Sequence, residues 1–151
     1  MDDEQKKLAE KLFNSLSLLL AEHGKVVPLY FVVKDGQLTP LIVKSEVSMQ
    51  QFATITMNYA NEIDAEAVIL ACEQLMLRLP KNDENIQRIL DGEIKTSDEK
   101  TSEPYLTLTY TERDGNTKSI LAKIITSANG VRYTTDFEWI NDTVTNLISA
   151  W

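Results

Sequence analysis

Apolar residues recur over the first two dozen positions at Leu8, Leu12, Leu16 and Leu19, with Phe13 and Leu20 beside that stripe. Spacings of three and four predict an amphipathic helix. Asp2, Asp3 and Glu4 put negative charge at its start, where the macrodipole favours it, and Gly24 suits its termination. The next pattern changes in kind. Two apolar runs, Val26–Val33 and Leu38–Val43, flank Asp35-Gly36, a type I′ turn dipeptide. A two-residue loop there pairs Val33 with Leu38 and Phe31 with Pro40. Pro28 and Pro40 cannot donate ladder hydrogen bonds and must sit at strand ends or non-bonded positions. The near-continuous run over Val27–Val33 predicts cover on both faces.

Ser48 and Gln51 form a capping box opening a second helix to Ile63, with Met49, Phe52, Thr56, Tyr59 and Ile63 on its apolar side. Ala65–Leu79 carries conflicting signals. Its Ala, Glu, Leu, Gln and Met favour helix, whereas Val68-Ile69-Leu70-Ala71-Cys72 after a short turn suits a buried central strand. Strand is the reading adopted. Residues 80–104 turn acidic, with a short helix expected at Asp83–Asp91 and a mobile loop at 92–103.

Three alternating runs, Tyr105–Glu112, Ser119–Thr126 and Val131–Trp139, predict a meander. A two-residue Asn129-Gly130 turn pairs Thr126 with Tyr133 and Ile120 with Trp139. A three-residue Asp114-Gly115-Asn116 loop pairs Tyr110 with Ile120 and Leu108 with Ala122. Both registers gather the apolar residues on one face and leave Thr107, Thr109, Thr111, Ser119, Arg132 and Thr134 on a solvated one. Asn141 or Asp142 then caps a terminal helix with Val144, Leu147, Ile148 and Trp151 inward. The whole chain, 1–151, is expected to be a single α+β domain. One mostly antiparallel sheet of about six strands would carry its helices on one face. The order helix, hairpin, helix, strand, meander is similar to that of small bacterial α+β proteins, with no motif tying it to one family.

Charge narrows the partners. The 151 residues hold 15 Lys+Arg against 23 Asp+Glu, a net charge of −8, which argues against nucleic acid and anionic membranes. No apolar stretch approaches the ~20 residues that a membrane-spanning helix needs. The acidic start lacks the pattern of a secretory signal, and with one cysteine a reducing cytoplasm is expected. The five glycines fall in expected turns, caps and loops, leaving no phosphate-cradling motif. No cofactor or metal site is expected. His23 reads as a cation at a helix C-terminus rather than a general base, and Cys72 as a packed thiol rather than a nucleophile.

Glu73 is the foremost candidate for chemistry. On a strand it shares a face with Ile69, Ala71 and Leu75, where a carboxylate must be paired or functional. Without such a role, Arg78 or a lysine pairs with it, the strand end is exposed, or the segment is helical with Glu73 solvated. Trp139 fits the apolar side of the meander. Trp151 and the Thr107 and Thr109 surface are candidate binding elements. The function expected from this inventory is a small non-catalytic interaction or adaptor protein, meeting a protein partner or forming a homodimer. The alternative is a small-ligand binder or carboxylate enzyme centred on Glu73.

Overall fold

A computed structural model describes residues 1–42, 47–76, 84, 87, 91 and 103–141. The first helix, α1 (Asp3–His23), begins in the acidic segment, with Asp2 as its cap. The Asp2 carboxylate accepts the Gln5 N–H at 2.8 Å, and the Gln5 side chain returns a bond to the Asp2 N–H. It ends at Gly24, whose φ of 77° lets its N–H reach the Leu20 carbonyl at 2.8 Å. Strands β1 (Leu29–Lys34) and β2 (Gln37–Leu41) follow as a hairpin. Asp35 and Gly36 both take positive φ, as a type I′ turn requires, and Val33 pairs with Leu38 and Phe31 with Pro40. Helix α2 (Met49–Glu62) starts at the Ser48/Gln51 capping box.

The ambiguous segment is a strand, β3 (Ala67–Met76). It runs antiparallel between β1 and β4 (Glu103–Glu112), and β5 (Thr117–Thr126) continues the sheet. The third meander run is split into β6 (Arg132–Thr134) and β7 (Glu138–Ile140), both paired with β5. The sheet order is β2-β1-β3-β4-β5-β6, all antiparallel, which is the α+β architecture expected.

The helices, expected together, take opposite faces. Phe13, Leu16 and Leu20 of α1 pack on Phe31, Val33, Ile69, Leu106, Leu108 and Ile120. Ala53 and Ala60 of α2 pack on the alternate residues Tyr30, Val32, Val68 and Leu70. Central strands buried on both sides explain the unbroken apolar runs in β1 and β3. Each large side chain enclosed this way contributes roughly 1.5–3 kcal/mol.

Turn chemistry sets the other departures. Neither Asp114 nor Asn129 takes positive φ; only Gly115 and Gly130 do. Each therefore closes a three-residue loop, Arg113-Asp114-Gly115 and Ala128-Asn129-Gly130, of the kind ending in a left-handed glycine. The first moves the β4–β5 register two residues from expectation, so Leu108 meets Ile120 and Tyr110 meets Lys118 while every side chain keeps its face. The second moves β6 by one, so Thr126 meets Arg132 and Ile124 meets Thr134. A one-residue slip exchanges faces. Arg132 and Thr134 consequently turn towards α1 and Tyr133 away from it. Thr135 still donates to the Lys123 carbonyl at 2.9 Å, but Leu121 already pairs with Glu138 and Ile120 with Trp139. Asp136 and Phe137 thus oppose the single residue Ala122. This β-bulge cancels the slip and returns Phe137 and Trp139 to the α1 face.

The threonine surface is a second correction. Thr107, Thr109, Thr111 and Ser119 are buried, although Leu108 on the other side is buried as expected. Three of these hydroxyls find partners within the sheet: Thr109 Oγ1 and Ser119 Oγ lie 3.2 Å apart, and Thr107 donates to the Cys72 carbonyl at 3.1 Å. Of the expected Asp83–Asp91 helix only Glu84, Gln87 and Asp91 are described: Glu84 and Gln87 are helical, and the Asp91 N–H donates to the Gln87 carbonyl at 2.9 Å. Most of the 92–103 loop and the terminal helix with Trp151 lie outside the described residues, as does Arg78; Glu103 opens β4.

Candidate functional site

Glu73 stands on β3 two residues beyond Ala71, on the face that α1 covers. Both of its carboxylate oxygens are engaged. The Val26 N–H donates to Oε1 at 2.7 Å, and Arg132 Nη1 donates to Oε2 at 2.9 Å. The same guanidinium nitrogen donates to the Gly24 carbonyl at 2.9 Å. The side chains of Arg132 and Glu73 keep 25% and 21% of their exposure, so the pair is screened from water without being sealed. Two residues along β6, the Thr134 hydroxyl meets that of Ser17 on α1 at 3.2 Å. The slipped register of β6 is what brings Arg132 here. The arrangement ties the end of α1, the lead into β1, the middle of the sheet and its far edge around one carboxylate.

Sequence reasoning places Glu73 among apolar neighbours and offers Arg78 or a lysine as the charge that would pair with it. The partner is 59 residues away in sequence. The dipeptide Asn129-Gly130 was the available signal, and reading it as a two-residue turn pointed Arg132 outward.

Cys72 is buried behind Glu73 on the α2 side, its sulfur 3.6 Å from Thr107 Oγ1, which also accepts from Gln74 Nε2 at 2.9 Å. Burial pushes the Cys72 thiol above its ordinary value; the hydrogen bond with Thr107 opposes that rise and the Glu73 charge adds to it. A thiol held protonated is a poor nucleophile. His23 sits in the last turn of α1, exposed, 3.8 Å from Glu22. Thr107 and Thr109, being buried, present no surface for binding. Trp139 packs against the α1 core, donating its indole N–H to Glu10 at 2.8 Å, with Lys6 Nζ 5.7 Å from the ring centroid.

Several cavities among the described residues lie away from Glu73. One of about 500 Å³ is lined by Asp2, Lys7, Lys11, Asp35 and Glu66, among others. One of about 300 Å³ has Tyr110, Glu112, Asn116, Lys118 and Asn141 among its lining. Among the described residues no group of His, Cys, Asp or Glu converges as metal ligands do, and no helix is long and apolar enough to cross a membrane. The chain matches no protein-family model, no curated protein and no solved structure.

Proposed function

We propose that this chain is a non-catalytic cytoplasmic interaction protein that binds another protein through the end of the sheet around Glu73 and Arg132. The observation carrying this reading is that three exposed apolar residues flank, along the chain, the members of the ion-pair network. Val27 follows Val26, Val131 precedes Arg132, and Leu75 lies one pleat, about 7 Å, beyond Glu73. Apolar groups held around a fixed charge pair offer contact area with little ordering cost on binding. With a net charge of −8, long-range attraction favours a partner that is basic overall. The alternative, a ligand taken by Glu73, has to compete with the bonds that Val26 and Arg132 already make.

A photo-crosslinking residue placed at Leu75 or Val131, with Asp114 at the opposite end of β3 as control, tests the proposal in cells. A discrete adduct with a second protein from the first two positions, absent at Asp114 and lost with Val27→Asp, supports it. Equal adducts from all three positions, or none, overturn it. A metabolite that raises the melting temperature, with the rise abolished by Glu73→Gln, would replace it with the ligand reading.

A further inference from the structure

We infer that Pro40 guards the free edge of the sheet at β2 and keeps this chain from adding a strand there. Among the described residues β2 is outermost on its side. Its hairpin closes on Lys34 and Gln37 across a two-residue turn, so Lys34/Gln37, Val32/Thr39 and Tyr30/Leu41 are the bonded pairs. Leu38 and Pro40 occupy the intervening positions, with their backbone polar groups directed outward. The other side of β1 confirms this alternation, because the Val33 carbonyl turns towards β3 and accepts the Glu66 N–H at 2.8 Å.

The outward row on β2 therefore offers the Leu38 N–H and C=O and then only the carbonyl of Pro40. A strand aligning there would find no donor at Pro40 and would meet its ring instead. The ring costs the hairpin no hydrogen bond, since the Phe31/Pro40 pair exchanges none. The segment needs such a device. Gln37 to Ile42 carries no charge, and Ile42 is 86% exposed. Without the proline, this is an uncharged, strand-forming edge of the type that pairs with its own copies. The far edge is handled differently: β6 and β7 have three residues each, separated by the bulge, with Arg132, Asp136 and Glu138 among them.

Pro40→Thr supplies the missing N–H at an exposed position. Light scattering over a wide concentration range, with amide exchange read at Leu38, tests the inference. The native chain shows no association through β2 and rapid Leu38 exchange. The variant associates as its concentration rises, and Leu38 exchange slows by about tenfold or more. Thr39→Lys added to that variant restores the monomer and fast exchange, which separates edge pairing from misfolding. A folded Pro40→Thr chain, verified by circular dichroism, that leaves association and Leu38 exchange unchanged overturns the inference. A native chain already protected at Leu38 does so as well.

Discussion

Replacing Arg132 with Met keeps most of the apolar stem and removes the guanidinium from between Glu73 and the Gly24 carbonyl. Fully exposed ion pairs contribute about 0–1 kcal/mol, whereas breaking a buried pair costs about 3–5 kcal/mol. With 25% and 21% of their side-chain exposure retained, Arg132 and Glu73 fall between those limits. The Val26 N–H continues to support the carboxylate after the change, which moderates the penalty. The expected loss is about 2 kcal/mol, and for a chain of this length about 4–8 °C in Tm. Urea denaturation of the native chain, Arg132→Met, Glu73→Gln and the double variant completes a thermodynamic cycle. Glu73→Gln retains an acceptor for Val26, so the coupling isolates the charge pair; about 1.5 kcal/mol is expected. The cycle also tests the β6 register. Had Asn129-Gly130 formed a two-residue turn, Arg132 would lie in solvent and its replacement would be silent. A coupling below about 0.5 kcal/mol with unchanged Tm would refute the slipped register and the network built on it.

Further outcomes follow from other contacts. Arg113 donates to the Ala60 and Ala65 carbonyls and to the Asn61 side chain at 3.0–3.1 Å, closing the end of α2. Arg113→Ala should cost about 1–2 kcal/mol and speed hydrogen exchange at the C-terminal end of α2 before the sheet. The Tyr30 hydroxyl is buried with no hydrogen-bond partner among the described residues, so Tyr30→Phe should be neutral or stabilising by about 1 kcal/mol in thermal melts. Burial, with the Cys72 charge adding to it, pushes the Tyr30 phenol up from 10.0 to about 12, and burial raises Tyr110 in the same direction. The folded chain holds these protons to higher pH than the unfolded chain does. Stability should therefore decline between pH 10.0 and about 12, by about 1.4 kcal/mol per pH unit for Tyr30, and Tyr30→Phe should flatten that slope. Cys72 should resist a thiol reagent until the chain unfolds, its labelling rate following global opening measured by hydrogen exchange; fast labelling of folded protein would contradict its burial.

Local chemistry was legible in the sequence wherever one residue type dictates one geometry. Ser48 with Gln51 fixes the start of α2, and Asp35-Gly36 fixes the pairing of the first hairpin to the residue. Val68–Cys72 outweighed the helical composition around it because a central strand needs apolar side chains on both faces. What stayed illegible depended on distant partners. Asp-Gly and Asn-Gly close loops of two or three residues according to whether the residue before glycine takes positive φ, and flanking strand geometry settles that. Threonine misled for a related reason. It forms strands in water and equally well in a covered sheet when a neighbour such as Ser119 accepts or returns its hydroxyl bond. Glu73 was visible as a carboxylate on an apolar face. Its release from any obligatory chemistry depended on an arginine placed by a turn three residues long.

The slip at Ala128–Gly130 and the bulge at Asp136-Phe137 behave like two frameshifts of opposite sign, the second restoring the phase that the first disturbs. Only the interval between them is read out of phase, and that interval contains Arg132 and Thr134. A one-residue slip of β6 against β5 would be survivable for Trp139, whose seat lies past the correction, yet it would hand the arginine's place to Tyr133. Register errors at this loop are therefore felt in the middle of the sheet rather than at the rim where they arise.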